Sequence, residues 1–150
     1  MPSLESVLDQ SLSRASKHSK KIYGKNPLSP NEVIDLVNAK KAQVLAATIR
    51  PNGQPHLSPA SAVSLDKKVY VGIDMATARY KNLKRNPRLT LMIMEGYKRQ
   101  AIIEGKTRFL RMNSSTAKRV NRFQKKKYGW GTDNLVELVP SKAFTYKSRE

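Results

Sequence analysis

The sequence contains no cysteine and only two histidines, His18 and His56. Without cysteine the chain cannot form disulfides, a thiolate nucleophile, a Cys-ligated zinc site or an iron–sulfur cluster. Two histidines are too few for a histidine-rich metal site, so we predict that the protein binds no metal. The 11 acidic residues are scattered, and no serine lies in a nucleophile-elbow pattern. The residues therefore give no support to hydrolytic chemistry, and no catalytic residue is assigned.

Long apolar runs are also missing from the sequence. No run approaches the roughly twenty residues that a membrane-spanning helix needs. The first ten residues, MPSLESVLDQ, carry acidic side chains and lack the apolar segment of a secretory signal. These absences predict a cytoplasmic protein without a membrane partner. The 150 residues are enough for one domain that buries roughly 70% of its unfolded surface.

The balance of charge is strongly basic. Lysine and arginine total 29 against 11 acidic residues, which gives a net charge of +18. Such a charge attracts polyanions, nucleic acid above all, although several phosphate-bearing ligands would suit it equally well. Two runs, residues 14–25 and 118–127, hold many of the cations, and base-stacking aromatic residues are not interleaved with them. Nucleic-acid binding is therefore an alternative that we do not favour, and the lysines of the second run are interpreted as a solvated helix face.

Residues 1–28 are predicted to form an N-terminal arm and linker ahead of a single domain at residues 29–150. The arm is amphipathic, because one helical face carries Leu4, Val7, Leu8, Leu12 and Ala15. Few aromatic residues accompany this stripe, which argues against a membrane anchor. We expect the stripe to pack on its own domain or on a second subunit.

The domain opens with a helix and continues mainly as strands. Ser29-Pro30-Asn31-Glu32 is a capping box with proline at the first helical position. The apolar strand Ala42–Arg50 is predicted to be buried on both faces, and an Asn52-Gly53 hairpin turn follows it. The predicted order is helix, three strands, helix, two strands, helix, strand. Because hairpins dominate this order, we predict a mainly β, α+β fold whose six antiparallel strands close into a barrel with flanking helices.

The second strand, Pro55–Ser64, has an unusual composition. Its central residues are small or hydroxylated, where larger apolar side chains would pack better. Pro59 cannot donate a hydrogen bond to a ladder, so it predicts a sheet edge or a bulge. Small side chains beside a bulge leave room for a bulky group against the backbone. A weak edge strand is the alternative interpretation.

Residues 69–88, VYVGIDMATARYKNLKRNPR, combine a strand, a turn of small residues and a helix. The helix is predicted to begin near Thr77 and to end at Asn86-Pro87. The first turn of a helix leaves backbone N–H groups free, and Thr77 and Arg79 lie beside them. This arrangement favours an anion site with phosphate as its guest. An ordinary capped helix with solvated cations is the alternative.

Four motifs in order resemble the pyridoxamine 5′-phosphate oxidase-like flavoproteins. These are GQPHLSP on the second strand, YVGI at the next strand end, TARYKNLKRNPR at the helix, and RQAIIEGK on the fifth strand. The resemblance covers residues 29–146 and implies an FMN-binding split β-barrel. It also implies a homodimer that holds the cofactor at the subunit interface.

The resemblance implies a set of cofactor-binding residues. They are Ser58, Pro59, Ala60 and Ser61 along the flavin ring and ribityl chain, Gly72 and Ile73 at the isoalloxazine edge, Thr77, Ala78 and Arg79 at the phosphate, Asn82 supporting that turn, and Gln100 reaching the flavin from the neighbouring subunit. The family commonly has lysine at the position of Arg79, and arginine can hold phosphate in a bidentate fork. Tyr146 stands where many members have tryptophan.

We therefore predict a flavin-dependent oxidoreductase whose small-molecule substrate is unknown. Vitamin B6 is not the expected substrate, because Ser58 replaces an arginine of the authentic oxidases and their C-terminal substrate-binding segment is not matched. A deazaflavin coenzyme carries a similar phosphate and tricyclic ring, so a deazaflavin-dependent reductase of the same fold is the alternative.

Overall fold

The computed structural model describes residues 3–148. Three helices precede the sheet, one helix lies between its fourth and fifth strands, and one lies before its last strand. The elements are α1 (Leu4–Ser13), α2 (Lys17–Tyr23), α3 (Pro30–Asn38), β1 (Gln43–Ile49), β2 (Pro55–Pro59), β3 (Ser61–Leu65), β4 (Lys68–Ile73), α4 (Ala78–Arg85), β5 (Arg88–Glu95), β6 (Arg99–Phe109), α5 (Ser115–Tyr128) and β7 (Asn134–Lys147). No helix among the described residues is long and apolar enough to cross a bilayer.

The strands form one antiparallel sheet in the order β2-β1-β5-β6-β7-β4-β3. Its first and last members, β2 and β3, are consecutive segments of chain that meet at Ala60, so the sheet curls back on itself. The predicted barrel fold with flanking helices is confirmed, with seven strands instead of six. The extra strand arises because the predicted strand Pro55–Ser64 changes partner: residues up to Pro59 pair with β1, and residues from Ser61 pair with β4.

Glycine and proline permit the irregular points of the sheet. Gly53 has a φ of 86° in the β1–β2 turn, a conformation that favours glycine. The register of β6 against β7 shifts at Glu104/Gly105, opposite Pro140. A Cβ at Gly105 would lie 2.0 Å from the carbonyl oxygen of Val139, so no other residue fits there without a backbone shift. The bulge or close approach predicted at Glu104-Gly105 is confirmed.

The helices pack against the sheet, with α3 against β3, β5 and β6, α4 against β1, and α5 against β3. The Ser29 capping box is present, and α3 buries Val33, Leu36 and Val37. Helix α1 packs on β7 through its buried Leu4 and Val7. The apolar stripe of the arm therefore packs on its own domain, which is one of the two arrangements that the sequence predicted. The basic run that follows forms α2, a second short helix, where the sequence suggested only a linker.

Polar side chains form hydrogen bonds with the backbone groups on the edge of β3 that does not pair with β4. Asn38, the last residue of α3, exchanges hydrogen bonds of 2.7 and 3.0 Å with the backbone of Ser64. The Tyr128 hydroxyl group accepts from the amide of Ala62 at 3.0 Å and lies 3.1 Å from its carbonyl oxygen. Burial raises the pKa of Tyr128, and its hydrogen bond to Ala62 opposes that change. The edge is thus closed by two helix ends.

Lys127 joins α3, β3 and α5 through its ammonium group. Its Nζ atom donates to the carbonyl oxygens of Val37 at 2.5 Å and Ala62 at 2.9 Å, and to the hydroxyl group of Tyr128 at 2.8 Å. Burial lowers its pKa to about 8. The interpretation of the basic run as a solvated face is therefore wrong for Lys127, because its length lets it reach carbonyl groups that α3 and β3 leave unpaired.

Lys127→Met is expected to lower the free energy of unfolding by about 1–3 kcal/mol, because charged hydrogen bonds to partly buried carbonyl groups are lost. Urea unfolding followed by circular dichroism measures this change. Lys126→Met is the matched control, since Lys126 is exposed on the same helix and makes no described contact. Equal stability of the two variants would contradict the role assigned to Lys127.

Candidate functional site

The turn between β4 and α4 has the geometry of a capped helix start. The hydroxyl group of Thr77 accepts from the amide of Tyr80 at 3.2 Å and donates to the carbonyl oxygen of Asp74 at 2.7 Å. The amide of Thr77 also donates to that carbonyl at 3.0 Å. The amides of Ala78 and Arg79, in the first helical turn, have no acceptor inside a helix. The predicted helix start at Thr77 is confirmed, with N–H groups available beside it.

Arg79 extends from this turn to the end of β2. Its Nη1 atom donates to Ser58 Oγ at 2.7 Å and to the carbonyl oxygen of Pro59 at 3.0 Å. Its Nε atom is buried and has no hydrogen-bond partner among the described residues. Burial lowers the pKa of Arg79, and the negative charge of Asp74 opposes that change. Since a guanidinium stays protonated in proteins, Arg79 carries a positive charge that is partly withdrawn from solvent.

A polar surface runs beside Arg79 where α4 meets β1 and β2. Thr48 and His56 lie directly opposite each other in the register, as do Ala46 and Ser58, so His56 and Ser58 share a face. Asn82 donates to the Thr48 hydroxyl group at 3.1 Å, and both side chains are buried. Asn82 therefore fixes α4 against β1, and it forms no described hydrogen bond with Arg79.

Ser61 and Gly72 lie directly opposite each other on β3 and β4. A Cβ at Gly72 would lie 2.5 Å from Gln124 Nε2, 2.6 Å from Ser61 Oγ and 2.8 Å from Thr132 Oγ1. Any side chain at this position would therefore displace the polar side chains that α5, β3 and the loop after α5 pack against Gly72. Ile73 is fully buried in the core, so only its main chain can face a ligand.

The single chain does not bring all the predicted residues together. Ser58, Pro59 and Arg79 are in contact, Ala60 donates its amide to Val44, and Ser61 faces Gly72. Gln100 lies on β6, three strands from β2 in the sheet order, and opposite Tyr146 on β7. Within one chain it cannot reach the Arg79 turn.

Two polar residues near the site received no role from the sequence. The Nδ1 atom of His56 and the Oε1 atom of Gln124 are buried without a hydrogen-bond partner among the described residues. In the sequence, Gln124 follows Ala117 and Val120 at helical spacing. This spacing indicated that its side chain belongs to the inner face of α5. The sequence contains no such signal for His56, which is half-buried on β2.

The loop that follows α5 also contributes to the site. Asp133 accepts from the amide of Met75 at 3.0 Å, and its own amide donates to Asp74 at 3.4 Å. These bonds tie the loop to the turn that precedes α4. Trp130 in this loop is 57% exposed and its ring packs against that of Tyr128 at a centroid distance of 5.6 Å. Such long-range contacts had no counterpart in any sequence motif.

Among residues 3–148, no three His, Asp or Glu side chains are grouped so that they could hold a metal ion. The exposed face of α5 retains most of its cations, including Lys118, Arg122, Lys125 and Lys126. Arg119 on the same helix forms an ion pair with Asp66 at 3.2 Å. The two charge features therefore differ: α5 presents solvated cations, whereas Arg79 holds a half-buried one.

Solved structures share this fold at low sequence identity. The conserved hypothetical protein Rv2991 from Mycobacterium tuberculosis is 23% identical, with a TM-score of 0.72 over 85% of this chain and 90% of that one. HutZ, the heme storage protein of Vibrio cholerae, is 15% identical, with a TM-score of 0.60 over 78% of this chain and 92% of that one. An F420 reductase is 13% identical, with a TM-score of 0.59 over 73% of this chain and 93% of that one. These likenesses show the fold alone.

The family comparison covers most of the sequence. No curated protein matches the chain. The family model described as pyridoxamine 5′-phosphate oxidase matches residues 30–147, which include every strand, the turn at Thr77 and Arg79. The chain therefore belongs to the pyridoxamine 5′-phosphate oxidase family.

Proposed function

We propose that this protein is an FMN-binding split-barrel flavoprotein that acts as a flavin-dependent oxidoreductase on a small molecule. Membership of the family supports a cofactor site at the turn before α4. The observation that carries the proposal is Arg79, a half-buried cation that forms none of the ion pairs found in residues 3–148 and keeps a buried, unpartnered Nε atom. A phosphate group would supply the missing acceptor and the missing negative charge.

The residues at this turn fit a phosphate in kind as well as in charge. The first-turn amides of α4, the hydroxyl group of Ser58 and the guanidinium of Arg79 are all donors, and they converge from two elements. When bound, FMN supplies the redox chemistry, because its ring exchanges hydride with substrates. The chain's own residues bind the cofactor, orient it and hold its phosphate.

Ser58 argues against vitamin B6 as the substrate. The authentic oxidases have arginine at this position, whereas here the serine hydroxyl group accepts a hydrogen bond from Arg79 at 2.7 Å. The serine therefore positions the phosphate-binding arginine instead of supplying a second cation to a phosphorylated substrate.

A homodimer is part of the proposal, with the cofactor at the subunit interface. Alternate residues of β1 face outward, and Leu45, Ala47 and Ile49 are only half-buried there. On the same face Leu57 of β2, opposite Ala47, is 64% exposed. The strand predicted to be buried on both faces is thus buried on one, and a second copy of the chain would cover the other. It could also bring Gln100 towards the Arg79 turn.

Titration of the purified protein with FMN tests the cofactor proposal. We expect saturable quenching of flavin fluorescence that persists at high salt, because the site is partly buried. Arg79→Ala should weaken FMN binding by about 1.5–3 kcal/mol, the usual contribution of a hydrogen bond to a charged group, which is roughly ten- to a hundredfold in Kd. The measurement is the same titration on wild type and variant.

Lys81→Ala is the matched control, since Lys81 is an exposed cation of α4 with no described contact. Equal weakening by both substitutions would show that overall charge binds FMN, and unchanged binding by Arg79→Ala would refute the phosphate site. A protein that ignores FMN but binds nucleic acid with a steep salt dependence would instead support the basic helix as the functional surface.

Leu57→Asp is expected to dissociate the dimer, because it would place an unpaired carboxylate in an apolar interface. The dissociation constant should rise at least about tenfold, as measured by light scattering over a range of concentrations. Asn52→Asp adds the same charge to the turn of the same hairpin and should leave the dimer intact. A wild-type protein that is monomeric at micromolar concentration would exclude the interface.

A deazaflavin coenzyme is the second candidate for the cofactor. The F420 reductase of the same fold supports it, and a deazaflavin presents a similar ring and phosphate to the Arg79 turn. Binding of the deazaflavin with no response to FMN would favour this candidate, while the expected effect of Arg79→Ala stays the same.

A further inference from the structure

Helix α2 and the end of β7 line a solvent-open cavity that lies outside the proposed phosphate site at Arg79. Its volume is about 560 Å³. The residues that matter for its chemistry are His18, Lys21, Ile22 and Lys25 on one side, and Tyr146 and Lys147 on the other. The cavity lies where the basic run of the N-terminal arm meets the last strand.

The lining of this cavity follows the geometry of α2. His18, Lys21 and Ile22 are spaced three and four residues apart, so they share one helical face. Lys25 follows just beyond the helix end at Tyr23. Lys17 and Lys20 belong to the same helix but do not line the cavity. Some of the basic side chains of α2 thus line this cavity, and the others lie outside it.

The positive charge in the cavity has no counterpart in its walls. No acidic residue lines the cavity, and none of the five ion pairs described for residues 3–148 includes Lys21 or Lys25. Lys147 differs, because it pairs with Glu32 at 3.1 Å. Cations that line one cavity without acidic partners repel one another, and an anion bound in the cavity would relieve that repulsion.

Several contacts hold α2 in place over β7. The ring of Tyr23 packs against that of Phe144 at a centroid distance of 5.1 Å. The side chain of Asn26 donates to the carbonyl oxygen of Lys147 at 2.7 Å, and the amide of Lys147 donates to the carbonyl oxygen of Asn26 at 3.0 Å. The cavity therefore has an ordered wall in addition to its charge.

The position of the cavity connects it with the cofactor site of a dimer. Tyr146 lines the cavity and lies directly opposite Gln100, so the two side chains share a face of the sheet. Gln100 is the residue that the proposed function assigns to the flavin of the neighbouring subunit. A ligand that fills the cavity would therefore lie beside the second half of that site.

We propose that this cavity binds the anionic group, a carboxylate or a phosphate, of the small-molecule substrate that reacts with the flavin. The assignment of this anionic group to the substrate rests on the proposed function. The anion site itself rests on the α2 residues. Its cations act as binding groups that select acidic substrates over neutral ones. The arm is thereby a specificity element of the site.

Binding of pyrophosphate and of citrate to the full-length protein tests the proposal. Amide NMR shifts of α2 and calorimetry, both at constant ionic strength, report the position and the strength of binding. We expect Lys21→Gln/Lys25→Gln to weaken binding roughly fivefold or more. Lys17→Gln/Lys20→Gln removes the same charge from the same helix outside the cavity and should change binding less than about twofold.

FMN titrations of the same proteins separate this inference from the proposed function. Binding of FMN without cavity-dependent binding of either anion would overturn the inference and leave the proposed function standing. A second outcome is that the anions bind, that the cavity variant binds them more weakly, and that FMN does not bind. This outcome would retain the anion site and refute its link to a flavin substrate. If both double variants lose anion affinity equally, and an oligonucleotide binds with a steep salt dependence, the helix attracts polyanions diffusely. This outcome would overturn the anion site.

Discussion

The change of ladder partner at Pro59 and Ala60 is the constraint on which the rest of the structure depends. Pro59 has no amide hydrogen, so pairing with β1 ends there, apart from the amide of Ala60, which still donates to Val44 at 2.9 Å. From Ser61 the chain pairs with β4 instead. This one junction joins the two ends of the sheet, and it places Ser58 beneath α4 and Ser61 beside Gly72.

The second feature that organises the site is a charge without a partner. Desolvating a cation is unfavourable, and Arg79 recovers only part of the lost solvation through Ser58 and the carbonyl group of Pro59. By contrast, Arg108 and Arg119 face carboxylates of the chain. A protein that can pair its arginines but leaves one half-buried and unpaired retains attraction for an anion from solution.

The local elements could be predicted from the sequence because their signals are local. The capping box at Ser29, the Asn52-Gly53 turn, the helix start at Thr77 and the bulge at Gly105 each depend on a few neighbouring residues. The split of the second strand was only half visible. Pro59 indicated an irregular point, but which strand each half joins depends on the closure of the whole sheet.

The candidate site could be proposed from the sequence to the extent that single chain segments carry it. Thr77 and Arg79 could be named in advance because they lie at a predicted helix start. The small residues of β2 and β3 could be named because such side chains are unusual in strands. The partners that surround them could not. Gln124 meets Gly72 across 52 residues of sequence, and Lys127 reaches Val37 across 90. Periodicity assigns such side chains to a face of a helix but does not specify what that face meets.

The closed edge of β3 has a consequence for how the chain behaves outside its native state. A strand whose outer amide and carbonyl groups are free is a template for pairing with another chain, which leads to aggregation. Here Asn38, Lys127 and Tyr128 occupy those groups, and the latter two come from the end of a late helix. A nascent chain that has not yet completed α5 exposes the edge, so the risk of aggregation is concentrated in the interval before that helix docks.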